Sequence, residues 1–187
     1  MALTLSNVEK YHRRKKSIDK VLLSTVNDDE VIYGARAINV RVSKNLKRKT
    51  TDYDIYTKNP RKQALEAEQK LDKHMGFNAF ESKVAQHKGT WKVKSRVTGE
   101  GVADYSKPNN KIPYDKIKGK KYIKISRIKQ TIKKTLKDPE STYRHAKDKD
   151  ALNRIKIHEK RNIKRKAKTK KIKRKTVYNN FNTWLKN

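Results

Sequence analysis

The stretch TTDYDIYT, residues 50–57, most constrains what this chain can fold into. Its strict alternation predicts a β-strand, with Tyr53 and Ile55 on one face and Asp52, Asp54 and Tyr56 on the other. Two carboxylates at i and i+2 on a strand point the same way, a few ångströms apart. Leaving both ionised is costly unless a cation sits between them. They lie inside KRKTTDYDIYTKNPRK, residues 47–62, so Lys or Arg could supply that cation and leave a solvated strand face with local ion pairs. A divalent metal does it better, because Mg²⁺ favours hard carboxylate oxygens together with substrate phosphates.

Elements on either side are legible from spacing. Apolar residues at 18, 21, 22 and 26 predict a helix, and VIYG predicts a short buried strand ending at Gly34. A short helix follows over ARAINVRVSKN, weakened by its β-branched residues. Asn59-Pro60 opens a helix carrying Ala64, Ala67, Leu71 and Met75 on one side, and Gly76 ends it. Strands are expected over residues 79–97 and in GVADYS, the last two joined by a turn at TGEG. Trp91, Val93, Ser95 and Val97 alternate with Lys92, Lys94 and Arg96, giving an inner and a wet face. KPNNKIP is a loop. The next segment begins as a strand and passes into a helix with Ile128, Ile132 and Leu136 buried, closed by Asp138-Pro139. A last helix places Leu152, Ile155 and Ile157 inward. The order indicates an α+β fold, a mixed β-sheet flanked by helices with a basic C-terminal extension. We divide the chain into a basic N-terminal segment (1–16), a central domain (17–158) and a basic tail (159–187).

A net charge of +32 over 187 residues favours polyanions, nucleic acid first. With no cysteine, disulfides, thiolate catalysis and Cys-based zinc sites are excluded. No apolar run approaches the ~20 residues that span a bilayer, and the first residues lack the apolar core of a signal peptide. A soluble protein with no membrane partner is expected.

Two further features join the Asp pair. The strand ending at Gly34 opens a helix N-terminus, which offers backbone N–H groups to an anion. GVADYS brings a third acid, Asp104, which lies beside Asp52 and Asp54 if its strand neighbours theirs. Three carboxylates and a phosphate-binding turn are what two-metal phosphoryl chemistry needs.

Gly34-Ala35, then Asp52-Tyr53-Asp54, then Asp104 resembles the polymerase-β-like nucleotidyltransferase superfamily, as a minimal or poly(A)-polymerase-like member. The likeness covers roughly residues 17–158, because YRHAKDKDALNRI also looks like the helical R-x-K-D segment that follows the catalytic sheet there. It implies that Asp52, Asp54 and Asp104 are catalytic and hold two Mg²⁺ or Mn²⁺ ions, with Asp104 helping to deprotonate the attacking hydroxyl. Gly34 and the amide of Ala35 would cradle the NTP triphosphate. The family often has Gly or Ser where this chain has Ala35. Arg36 either replaces that contact as a phosphate ligand or is a solvated helix residue; Lys147 likewise either reaches the triphosphate or faces water.

Other residues read more plainly. His12, His74, His87, His145 and His158 lack metal-site spacing. Tyr53 is core, Tyr56 either stacks on a base or does not, and Arg144 and Arg154 are assigned to the wet face of the last helix or to the triphosphate. Lys92, Lys94 and Arg96 either follow a nucleic-acid backbone or form a merely solvated face, and Lys164, Arg165, Lys170, Lys171 and Arg174 of the tail read as a disordered or nucleic-acid-binding arm. Val177, Tyr178, Phe181, Trp184 and Leu185 form an apolar patch that docks on the body or on a protein partner.

The leading expectation is a metal-dependent nucleotidyltransferase that moves a nucleotide from an NTP to an acceptor hydroxyl and releases pyrophosphate. The acceptor is expected on a nucleic acid, RNA or DNA, with RNA favoured by analogy. The alternative is an idle fold that binds or packages nucleic acid. The Lys- and Asn-rich style suits a virus or other mobile element, hence a cytoplasmic or nuclear location, a viral factory or a virion.

Overall fold

A computed structural model describes residues 4–184, with the last helix's side chains through Arg165 and at Ala167 and Thr169. Seven strands form one mixed sheet. In chain order these are β1 (Val31–Tyr33), β2 (Tyr53–Tyr56), β3 (Phe80–Val84), β4 (Thr90–Ser95), β5 (Gly101–Ser106), β6 (Tyr114–Ile117) and β7 (Lys120–Ile123). Their spatial order is β3-β4-β5-β2-β1-β7-β6. β2 and β5 run parallel, as do β1 and β7, and the other neighbours are antiparallel.

Helices α1 (Leu5–Arg14), α2 (Ile18–Thr25) and α4 (Pro60–Met75) cover one face of the sheet. There Ile32, Ile55, Tyr105 and Val93 meet Leu22, Ala67, Leu71 and Met75, all buried. Burial of each large apolar side chain contributes about 1.5–3 kcal/mol. Three more helices, α3 (Gly34–Asn39), α5 (Ile125–Thr135) and α6 (Thr142–Trp184), pack on one another beside the opposite face. The rest of that face is open and carries the acids.

Most expected elements are present, the α4 cap at Gly76 among them. Four features depart from expectation. α3 ends at Asn39 rather than continuing through residue 45, because Val40 takes the cap position and Val42 turns into the core. The basic N-terminal segment holds α1, whose Tyr11 is buried against Phe80. β6 follows directly on the KPNNKIP loop, in a segment for which spacing predicts no element. It pairs with β7 through a two-residue turn at Lys118-Gly119, with φ of 49° and 79°. Two left-handed residues match the twist of a tight hairpin. Lastly, α6 runs unbroken through residue 158. The apolar patch at 177–185 lies outside the described side chains.

Candidate active site

The register of three strands assembles the acids. Asp54 is the direct neighbour of Asp104 across the parallel β2–β5 pair, and of Tyr33 across β1–β2. Asp52 precedes Tyr53 by one residue and projects to the same face as Asp54. Thr50 donates its hydroxyl to Asp52 Oδ1. A sequence of strands with α4, β3 and β4 intervening brings residues 52 and 104 together, because β5 inserts between β4 and β2.

The acids line a cleft of about 900 Å³. Gly34 and Ala35 border it from the α3 N-terminus, and Tyr143, Arg144, Lys147 and Asp148 from α6. Ile38, Ile128, Ile132 and Ala151 give it an apolar wall, and Arg48, Lys49, Thr50 and Thr51 form its rim. Tyr33 and Tyr56 stack on the acid face, ring centroids 3.9 Å apart and 16° from parallel. Tyr33 Oη lies 3.1 Å from Ser106 Oγ.

Gly34 has φ +64° and starts α3 with no side-chain cap and no acid in the first turn. Its missing side chain leaves room for Asp54, which fills the space a Cβ would occupy. Burial, then the charges of Asp52 and Asp104, push the Asp54 carboxyl up to about 6, with Lys147 and Arg144 opposing. Burial also raises Asp104, against the pull of Lys92. One Asp104 oxygen, Oδ1, is buried without a hydrogen-bond partner; Lys92 Nζ stands 3.6 Å from it.

Among the described residues no three acid or histidine side chains close into a formed cation cage. The donor set nonetheless fits a divalent cation: the ligands are hard carboxylate oxygens, one is orphaned, and burial together with like-charge repulsion raises another.

Several sequence-based expectations change. Arg36 does not border the cleft. Its guanidinium forks onto both Asp19 carboxylate oxygens at 2.7 and 2.8 Å, donates to the Asp52 carbonyl and lies 4.0 Å over the Tyr53 ring. Arg154 is buried rather than wet, held by Asp150 and Asn39, and borders the cleft. Lys92 is turned to Asp104. Lys94 lies over the turn at Gly99. Arg96 donates to the Phe80 carbonyl and pairs with Glu81. None of these three borders the cleft. Lys147 does. Lys164 and Arg165 are exposed on α6, and the side chains of Lys170, Lys171 and Arg174 lie outside the description. Arg48, Lys49, Tyr143 and Asp148 border the cleft without having been singled out. For Arg48 and Lys49 the signal was adjacency to Asp52; for Asp148 it was the K-D pair itself.

No protein-family model matches the sequence, and no curated protein matches it. Among solved structures, the crystal structure of the Megavirus polyadenylate synthase resembles this one with a TM-score of 0.61 at 18% sequence identity. The likeness covers 76% of this chain and 31% of that one. The fold is nucleotidyltransferase-like. The α+β sheet with flanking helices agrees with it, and the chain spans under a third of the neighbour's length. Among the described residues, no helix in this nucleotidyltransferase-like fold is long and apolar enough to cross a membrane.

Proposed function

We propose that the chain is a divalent-cation-dependent nucleotidyltransferase acting on an NTP and a nucleic-acid hydroxyl, RNA being favoured. One observation carries this reading: Asp54 and Asp104 are register neighbours on one sheet face, with the Gly34 turn closed against Asp54.

Asp52, Asp54 and Asp104 would hold two Mg²⁺ or Mn²⁺ ions. When bound, such ions neutralise charge on the phosphates and on the acceptor oxygen. The chain's own residues do the rest. The first-turn amides at Gly34 and Ala35 receive phosphate oxygens, and Lys147 and Arg144 add positive charge from α6. The apolar wall keeps water from competing with the acceptor. Asp104 takes the acceptor's proton on its carboxylate, whose affinity for the proton burial raises. The acceptor oxygen bonds to the α-phosphorus, the bond to the β-phosphate oxygen breaks, and pyrophosphate leaves.

Labelled NTP incorporation into RNA and DNA primers tests this. Transfer should require Mg²⁺ or Mn²⁺ and vanish in Asp52→Ala/Asp54→Ala. A second reading, an idle fold that binds nucleic acid, is favoured by the Lys92–Asp104 approach, which partly satisfies the acids without a metal. Primer binding without transfer, equal in wild type and double variant, would select it.

A further inference from the structure

A second hollow lies on the helix-covered face of the sheet, next to the cleft but separate from it. Its volume is about 840 Å³. Lys58, Arg61 and Lys62 line it from the start of α4, with Leu65 one turn on, Trp91 on β4 and Lys107 just beyond β5. Lys58, Arg61, Lys62, Leu65 and Lys107 are exposed, and Trp91 is half-buried. Arg61 lies 5.5 Å over the Trp91 ring. Glu66 also borders the hollow and stands 3.9 Å from Lys62. Lys58 also stands 3.8 Å from Asp29, and four cations against these two acids leave a positive excess around the half-buried indole.

Its placement is informative. Tyr56, Thr90 and Ser106 border the acid cleft, and Lys58, Trp91 and Lys107 border the hollow. Each pair is one or two residues apart in sequence, at the same ends of β2, β4 and β5. The turn at 87–90 divides the two, with His87 on the cleft side and Gly89 on the other. The groove therefore begins where the cleft ends.

We infer that this groove is a track for single-stranded nucleic acid, with Lys58, Arg61, Lys62 and Lys107 on phosphates and a base stacked on Trp91. A strand lying there passes the 87–90 turn and delivers its terminal hydroxyl to the acid cleft. That delivery rests on the transferase reading; the binding does not. A string of cations beside an aromatic face is what sequence-tolerant single-strand binding uses. A duplex, whose bases are already stacked, cannot use Trp91.

The experiment is fluorescence anisotropy with labelled RNA and DNA oligonucleotides of about 15 nucleotides, across a salt series, with no divalent cation and no NTP. Four proteins are compared: full-length wild type, Lys58→Gln/Lys62→Gln/Lys107→Gln, a control losing equal charge elsewhere, Lys116→Gln/Lys133→Gln/Lys134→Gln, and Trp91→Leu. All six lysines are exposed, so both variants should keep the wild-type melting midpoint. The groove variant should lose about two units of salt slope, since each phosphate contact on a single strand contributes about 0.7; the control should keep it. Trp91→Leu should weaken single-strand binding roughly 5- to 150-fold and leave duplex binding unchanged. Preference for the RNA or the DNA oligonucleotide would name the acceptor. Equal losses in the two lysine variants, or equal binding of single strand and duplex by wild type, would overturn the inference. A protein that fails this test but transfers nucleotides leaves the transferase reading standing, and one that binds through the groove without transfer leaves the groove standing.

Discussion

Gly34 and Asp54 occupy one another's space: a Cβ on Gly34 would overlap Asp54 Oδ2 and stand 2.8 Å from its Cγ. The same glycine has φ +64°, a region that costs an L-residue roughly 1–2 kcal/mol. Gly34→Ala therefore meets two obstacles, one in the backbone and one at the acid. Its expected outcome is a lower melting midpoint together with loss of nucleotide transfer, because Asp54 must move to admit the methyl. A thermal melt and a primer-extension assay on the same preparation check this. A variant that melts lower but transfers normally would show that Asp54 tolerates displacement.

Asp54 also makes stability depend on pH in an unusual direction. Its carboxyl is raised to about 6 from an ordinary 3.8, so the folded state holds the proton more tightly than the unfolded chain. That contribution is full below about pH 3.8 and is lost as pH rises through about 6. Asp54→Asn should therefore stabilise the metal-free protein at pH 8, by roughly 1–3 kcal/mol, and bring little gain at pH 4. Melting curves at the two pH values measure it. Mg²⁺ at pH 8 should raise the wild-type midpoint more than the variant's.

Lys92 opposes the upward shift of Asp104 from 3.6 Å away. Lys92→Met removes that opposition, so Asp104 should hold its proton to higher pH. The acid limb of the pH–rate profile should move upward, with the rate at alkaline pH affected least. An unmoved limb would mean that Asp104 does not titrate in the rate-limiting step.

Lys147 and Arg36 should part company, although both were sequence candidates for the triphosphate. Lys147 borders the cleft and acts on Asp54. Lys147→Ala should raise KM for NTP by about 10- to 150-fold, the value of one charge-assisted contact. Arg36 holds Asp19, Tyr53 and the Asp52 carbonyl on the other side of β2. Arg36→Ala should instead lower stability by roughly 1–3 kcal/mol. Steady-state kinetics beside denaturant melts separate the two effects.

Much of this site was readable because its signals are local. The two-residue period of Asp52–Tyr56 fixes which side chains share a face, and β2 bears it out with Tyr53 and Ile55 buried. Pro60 and Gly76 bracket α4 as their backbone preferences require. The proximity of Asp104 was conditional on a strand pairing that the sequence does not encode locally. The contacts of Arg36 are hidden from the sequence for the same reason: its partner Asp19 sits on a helix packed against the far side of the sheet. β6 escaped because its turn places a lysine, Lys118, in a left-handed conformation, where Gly or Asn would have announced it.

By itself, then, the sequence determined most of the elements, the acid face of β2, and a charge that favours a polyanion. Those properties follow from neighbours along the chain, where side-chain alternation, capping and composition act. The tertiary structure decided which face stays open, that β5 lies against β2, and which cations reach the cleft. Those outcomes depend on how strands distant in sequence pair and where helices pack, and no short window of residues carries that free energy.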